Sequence, residues 1–383
     1  MNGGEPTATA RTDPETNTDV ATGDDDTAVS LESARDLLID LVSTPSPSWE
    51  EAAAAEVLVA FFDEHDREVW VDDVGNVRAP ADDAVLLTSH VDTVPGEIPV
   101  RVETVDTDDE VANAGEDVLW GRGSVDATGP LAAMAVAAVN AGVSFVGVAG
   151  EETDSRGARH LVTDRDVPEA VVNGEPSGVD GITLGYRGFL AGTYVATSES
   201  GHTSRPEPNA IQQAIRWWSA VEDAFDEEDY EPVFEQVTAK PVSLEGGTSD
   251  DGLSVEATLE AQLRIPPNLD ADSVRETAEA ALEVGTISWK ETIPPVMESP
   301  RTTVARAFRV AIRDQGGKPR LLRKTGTSDM NIYASAWDCP MVTYGPGNSA
   351  LDHAPDERLS LSAFERSIGI LEDVAGRLRG EAA

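Results

Sequence analysis

The chain reads as an α/β protein, a mainly parallel sheet sandwiched by helices, with a smaller α+β domain inserted into it. Three observations predict this. Short apolar runs alternate with helical stretches, and each run ends in a cluster of polar residues. Between about Phe189 and Val296 the pattern changes to longer alternating strands flanking a helix, and the first style resumes after Thr302.

Taken in order, residues 1–28 are rich in Thr, Asp, Gly and Glu with almost no large apolar side chain. They cannot bury enough surface to offset the entropy of ordering and are expected to form a disordered acidic tail. Ser30 is placed to cap a helix whose apolar stripe is Leu31, Leu37, Leu38 and Leu41, and Pro45 and Pro47 mark the turn after it. An Ala-rich helix follows from Glu50 to about His65. The runs Val85–Thr88, Phe145–Ala149, Ala170–Val172 and Pro340–Tyr344 are short and bounded by Gly, Asp and Asn, which favours buried strands. A helical stretch, Pro130 to Val139, separates the first two, so the strands are expected to lie parallel and covered on both faces.

Within the inserted region, strands are predicted near Leu190–Thr197 and Leu253–Ile265. The helix from Asn209 to about Phe225 should show one apolar face made of Ile211, Ile215, Trp218, Val221 and Phe225. The expected domains are residues 29–188 with 297–383, carrying the chemistry, and 189–296, the insertion. No internal repeat is visible.

Composition narrows the function. A single cysteine, Cys339, precludes an internal disulfide, so a metal site must be built from nitrogen and oxygen ligands. No apolar run reaches the length of a membrane span and the N-terminus lacks the pattern of a signal peptide, so the expectation is a cytoplasmic protein with no membrane partner. The formal charge of −43 excludes nucleic acid as a partner, because phosphate neutralisation needs clustered Lys and Arg. Only four lysines are present (Lys240, Lys290, Lys318, Lys324) against 71 acidic residues, a balance that suits a halophilic protein whose surface stays solvated at high salt.

The chemistry is expected where the strands end. After Val85–Ser89 come His90 and Asp92; after Phe145–Gly150 come Glu151 and Glu152; after Ala170–Gly174 comes Glu175; beyond Met341–Tyr344 a loop leads to Asp352 and His353. Asp126 closes Gly121-Arg122-Gly123-Ser124-Val125-Asp126, just before a helix. In open α/β sheets the ligand crevice lies at the carboxyl ends of the strands, so these side chains should converge. Buried carboxylates without balancing cations repel one another, and divalent metal removes the conflict. Two His and several carboxylates without Cys suit two zinc ions, with cobalt or manganese as substitutes. In strand geometry His90 and Asp92 share a face, so Asp92 can orient the imidazole. Glu151 and Glu152 should point to opposite sides, one binding metal and the other serving as general base. His65 reads as a surface residue and His160 as a helix-side one.

These stretches resemble the M20-type dinuclear zinc metallopeptidases and deacylases, a family that includes acetylornithine deacetylase, succinyl-diaminopimelate desuccinylase and carboxypeptidase G2. The matching segments are Ser89-His90-Val91-Asp92-Thr93-Val94-Pro95, Gly121–Asp126, Gly150-Glu151-Glu152, Asn173-Gly174-Glu175-Pro176-Ser177, Ser200-Gly201-His202 and His353, spanning about residues 30 to 380. The resemblance implies that His90 and Glu175 hold one metal, Glu152 and His353 the other, and that Asp126 bridges both. It gives Asp92 the steering of His90 and Glu151 the general acid/base role. It also implies a cis peptide at Asp126–Ala127, although Ala127 departs from the acidic residue common there. The inserted domain would supply a homodimer interface and His202, a donor to the oxyanion in the partner's site. Arg264 would bind a substrate carboxylate, with the amides of Gly326, Thr327 and Ser328 beside it.

The segments Gly150–Arg159, Lys324–Asn331 and Tyr344-Gly345-Pro346-Gly347 look closest to the subgroup that releases lysine or ornithine from an acidic amino-group carrier protein, by hydrolysing the amide to its C-terminal glutamate. That implies an enzyme of lysine and arginine biosynthesis. Lys318, Arg320, Arg323 and Lys324, just before the Gly326 loop, are expected to dock the carrier's acidic tail. The alternatives are acetylornithine deacetylase, succinyl-diaminopimelate desuccinylase or dipeptidase activity and, from another class, a metal-free binding protein.

Overall fold

The computed structural model of the chain describes Met1 and residues 28–226, 232–290 and 292–380, so apart from Met1 the expected tail as far as residue 27 lies outside the described residues. Ser30 caps the first helix, Leu31–Val42, its hydroxyl accepting the Ser33 N–H at 3.1 Å. The Ala-rich helix runs Ala52–Glu64.

The four apolar runs all form strands: Asp82–His90, Val143–Val148, Val171–Gly174 and Met341–Tyr344. They are neighbours in the centre of a nine-stranded sheet and pair parallel to one another. Shorter strands extend both sides, mostly antiparallel, while Arg320–Lys324 runs parallel to Gly181–Tyr186. Period-two alternation decides what each strand buries on which face. Val85, Leu87, Phe145, Val172 and Val342 join the core under the helices Leu31–Val42, Ala52–Glu64, Thr128–Ala141, Thr303–Asp314 and Leu361–Leu378. Leu86, Val148, Val171 and Met341 join a second core on the opposite face, under Arg156–Asp164 and Asp329–Ala336. Helix Thr128–Ala141 is buried on nearly every side, which its apolar run from Pro130 to Val139 requires, and Gly142 ends it at φ 64°.

A four-stranded antiparallel sheet stands apart with its own core, in the order Thr238–Thr248, Ser254–Ile265, Gly188–Glu199, Thr286–Trp289. Its helix Ala210–Phe225 starts in a capping box at Asn209. The face that it buries differs from the predicted one. Ala210, Ala214, Trp217, Trp218 and Val221 are buried, whereas Ile215 is 49% exposed. Trp217 displaces it by stacking on Tyr194 at 4.7 Å and donating its indole N–H to the Ala278 carbonyl at 3.1 Å. The stripe is rotated toward the large aromatic because that side chain removes the most apolar area from water.

A third sheet, Arg358–Ser360, Asp117–Trp120 and Arg101–Thr104, was not legible in the sequence. Among the described residues no helix is long and apolar enough to cross a membrane.

Candidate metal centre

His90 is the last residue of its strand, Glu175 follows Gly174 directly, and Glu151 and Glu152 follow the Val143–Val148 strand in a turn opened by Gly150 at φ 80°. Asp126 arrives from a different sheet, at the end of the loop after Asp117–Trp120, and His353 from the segment before Arg358–Ser360. The ligand atoms of His90, Asp126 and Glu175 lie within 4.8 Å of one another, and so do those of Asp126, Glu152 and His353. Asp126 belongs to both groups. Its Oδ1 lies 3.2 Å from Nε2 of His90 and its Oδ2 3.1 Å from Nε2 of His353, which is also 3.1 Å from Oε1 of Glu152. The Asp126–Ala127 peptide is cis.

The acid excess is large and buried. Burial, then the charge of Glu175, pushes Glu151 well above the usual carboxylate range; burial and Asp126 push Glu175 to about 8. Burial pushes Asp352 and Asp329 each to about 7. In the other direction, hydrogen bonding to Asp126 and then Glu152 raises His353 to about 10. Burial alone would depress His90, but its contacts with Asp126 and Asp92 and the charges of Glu175 and Glu151 outweigh it, and its pKa stands well above the ordinary value. Within the two ligand groups Glu175 resists ionisation and His90 and His353 hold protons, while at Asp126 burial is outweighed by hydrogen bonds from both imidazoles, which keep it below the ordinary carboxylate range. A divalent cation at such a set displaces protons and relieves repulsion.

Asp92 sits under this set, fully buried. The nearer contact to His90 Nδ1 is the Asp92 main-chain carbonyl at 2.8 Å, with the carboxylate at 3.7 Å. The carboxylate itself accepts the N–H groups of Gly150 and Glu151 at 3.0 Å and of Glu152 at 3.2 Å, and the Ser48 hydroxyl at 2.7 Å. Asp92 thus holds both the His90 ring and the turn that carries Glu151 and Glu152. Burial works against its charge, but the contacts with His90, Ser48 and the Glu151 N–H keep its pKa below the ordinary value.

Strand geometry does not extend to Glu151 and Glu152. The strand ends at Val148, so alternation no longer applies, and both line one cavity of about 1060 Å³ with Asp126, Glu175 and His353. Arg264, Gly326, Thr327 and Ser328 line the same cavity. Arg264 donates to the Thr327 hydroxyl at 3.3 Å with its guanidinium 4.7 Å over the Phe189 ring. Ser328 caps the helix Asp329–Ala336 in a capping box with Asn331. His202 is not brought to this cavity; it is exposed on the loop after Gly188–Glu199, its Nδ1 2.8 Å from the Ser204 hydroxyl. His65 is half-buried against Phe61, and His160 lies along Arg156–Asp164 near Asp72 and Asp164.

The basic cluster before Gly326 is divided. Arg323 and Lys324 line the cavity, Arg323 also pairing with Glu235 at 2.7 Å, whereas Lys318 and Arg320 do not line it. Sequence reasoning missed Arg187 and Glu357. Arg187 is buried beside Arg264 with its guanidinium on the carbonyls of Thr325, Val233 and Gln236. An Arg between a mostly apolar run, Gly181–Tyr186, and Gly188 was the available signal.

The family model for peptidase family M20/M25/M40 matches residues 86–377. A "Putative [LysW]-lysine/[LysW]-ornithine hydrolase" of Thermococcus kodakarensis is 36% identical over 357 residues, covering 92% of this chain and 94% of the relative. A "[LysW]-lysine hydrolase" of Deinococcus radiodurans is 38% identical over 371 residues, covering 91% and 98%. Among solved structures, aminopeptidase PepT from Bacillus cereus superposes with a TM-score of 0.71 at 19% identity, over 92% of this chain and 99% of that one. The YXEP protein of Bacillus subtilis, described as a dinuclear metal binding peptidase from the M20 family, gives 0.63 at 16% identity over 92% and 99%. At those identities the likeness fixes the fold.

Proposed function

This chain belongs to peptidase family M20/M25/M40, and on that premise we propose that it is a metal-dependent amidohydrolase that releases lysine, ornithine or both from an acidic amino-group carrier protein, cutting the amide to the carrier's C-terminal glutamate. The observation that carries the chemistry is the pair of ligand groups sharing Asp126. The substrate is supported by the names of the relatives that match nine-tenths of the chain, which place LysW, a carrier, in the molecule hydrolysed.

His90 and Glu175 would hold one ion, Glu152 and His353 the other, and Asp126 both; donors without sulfur suit zinc, with cobalt or manganese able to replace it. Bound there, the pair supplies Lewis-acid polarisation of the amide carbonyl and lowers the pKa of a water. The protein's own part is positional and protonic. Glu151 takes the proton of the attacking water at its carboxylate and returns it to the leaving nitrogen, and the turn held by Asp92 keeps that carboxylate in the cavity. Arg264, with Thr327 and the Gly326–Ser328 loop, fixes a substrate carboxylate. Arg323 and Lys324 face an acidic carrier segment with Arg320 nearby on the same strand; neutralising Arg320 and Arg323 should raise KM for the carrier-linked substrate, and an unchanged KM removes this docking role.

Residues 189–296 would form the dimerisation domain of a homodimer. Support comes from the edge strand Thr238–Thr248, which exposes Val242 and Leu244, and from Ile215 on the adjoining helix. His202, remote from its own cavity, would serve the partner's. The deciding experiment incubates the purified protein with carrier-linked lysine and with acetylornithine, alongside metal analysis. Turnover of the first with about two ions per chain supports the proposal. Turnover of acetylornithine alone moves the protein to another activity of the family, and a metal-free inactive protein ends the hydrolase reading.

A further inference from the structure

The loop Gly121–Asp126 delivers the shared carboxylate, yet it is nearly devoid of its own hydrogen bonds; Ser124 N–H to the Gly121 carbonyl at 3.2 Å is the one internal contact recorded. Four of its six amides go instead to one residue. Glu357 accepts the Gly121 N–H at its main-chain carbonyl (3.3 Å), Gly123 N–H at Oε2 (3.1 Å), and Val125 and Asp126 N–H at Oε1 (2.8 and 3.0 Å). Its side chain is fully buried, a costly place for a carboxylate unless donors surround it. The fourth donor to that carboxylate is Arg122, from the same loop, whose Nη1 is 2.7 Å from Oε2 and 3.3 Å from the carbonyl of Ala354. Gly123 allows the loop to close on Glu357: at φ 81° a Cβ there would meet Thr128 Oγ1 at 2.6 Å and Thr93 Cγ2 at 2.7 Å.

Glu357 lies four residues beyond His353 and one before the strand Arg358–Ser360, which pairs antiparallel with Asp117–Trp120, the strand that leads into the loop. One carboxylate therefore grips the backbone of the residue common to both ligand groups, while its guanidinium partner holds the residue after His353.

We propose that Glu357 is a positioning residue of the metal centre, fixing the Gly121–Asp126 loop so that Asp126 stands between His90 and His353, with Arg122 tying that loop to the His353 segment. This rests on the metal-binding reading above. Outer contacts of this kind act through the ligand that they orient, and their loss weakens metal binding about 10–100-fold.

Two measurements test it. Metal-free wild type, Glu357→Gln, Arg122→Met and the double variant are titrated calorimetrically with Zn²⁺, with circular dichroism as the check on folding. In Glu357→Gln an amide NH₂ replaces one oxygen and opposes donors, so affinity should fall about 10–100-fold. The double variant should bind no better, because the NH₂ still opposes a loop N–H that the carboxylate had accepted. Wild-type affinity in Glu357→Gln, or recovery in the double variant, overturns the proposal; recovery would mean that Glu357 merely balances the charge of Arg122. If wild type itself binds no Zn²⁺, the metal centre fails first, and the second measurement still judges the clamp. In the wild-type protein, which needs no variant to fold, the amides of Gly123, Val125 and Asp126 should exchange with deuterium as slowly as those of Asp82–His90. Exchange at the rate of an open loop overturns it.

Discussion

Replacing Asp92 with Asn changes one buried atom and should be costly. If the amide keeps its oxygen at the Oδ1 position, the Gly150 and Glu151 N–H groups retain an acceptor but lose its charge, worth about 1 kcal/mol each. The NH₂ group then occupies the Oδ2 position, where it confronts the Glu152 N–H; the Ser48 hydroxyl can rotate to accept, but the Glu152 amide cannot. A buried donor left without an acceptor costs about 1–3 kcal/mol. Removing a buried charge gives some of this back, so the net loss should be about 2–4 kcal/mol. Urea unfolding of the metal-free proteins in KCl, followed by tryptophan fluorescence, measures it. The pH dependence has a definite sign. Because the folded pKa of Asp92 is depressed, its contribution is present above the ordinary aspartate value and is lost as pH falls through the lower folded value, so the gap between wild type and variant should narrow only below about pH 4. A loss under about 0.5 kcal/mol at neutral pH would refute the reasoning, since one unsatisfied buried N–H alone exceeds it.

Three further outcomes are expected. Glu151→Gln should lower kcat by about 10²–10⁴ while metal content stays unchanged, and a near wild-type rate removes Glu151 from proton transfer. With a charge of −43, the melting temperature should climb with KCl between roughly 0.1 and 2 M as the Debye length contracts; a flat response contradicts the halophilic reading. The Cys339 thiol is pushed up to about 11 by burial and by Glu298 and Asp338, so iodoacetamide at neutral pH should alkylate it on the order of a hundredfold more slowly in the folded than in the urea-unfolded protein. The native state holds this proton more tightly than the unfolded chain, so the linked stability disappears as pH rises toward that value.

The central sheet was legible because its strands are buried on both faces and therefore continuously apolar, a signal that survives without knowledge of any partner. The ligand-bearing segments were legible for the same reason: polar clusters at the ends of such runs have few structural uses. Less legible was whatever depends on contacts from outside the element that generates a periodicity. Glu151 and Glu152 lie beyond Val148, in a turn whose shape is set by three N–H groups reaching Asp92, and no local pattern announces a contact across some 60 residues. Likewise Ile215 fits the helical stripe as well as Trp217 does, and only the stacking on Tyr194 of a neighbouring strand decides between them.

The small sheet of Arg358–Ser360, Asp117–Trp120 and Arg101–Thr104 shows why part of the site escapes any local reading. Strands of three and four residues, one of them almost wholly exposed, carry too little hydrophobic signal to be told from loops. Yet the pairing of Arg358 with Trp120 is what brings the segment of His353 beside the loop of Asp126. The strongly patterned sheet supplies His90, Glu151, Glu152 and Glu175 from three consecutive strand ends, but without the weakly patterned one it would offer two of the three members of one ligand group and one of the three of the other. The charge pattern points the same way. Glu357 cannot be distinguished by sequence from the other acids of a chain holding 71 of them, and its meaning lies wholly in where its oxygens end: on the amides of the one loop whose aspartate both groups need.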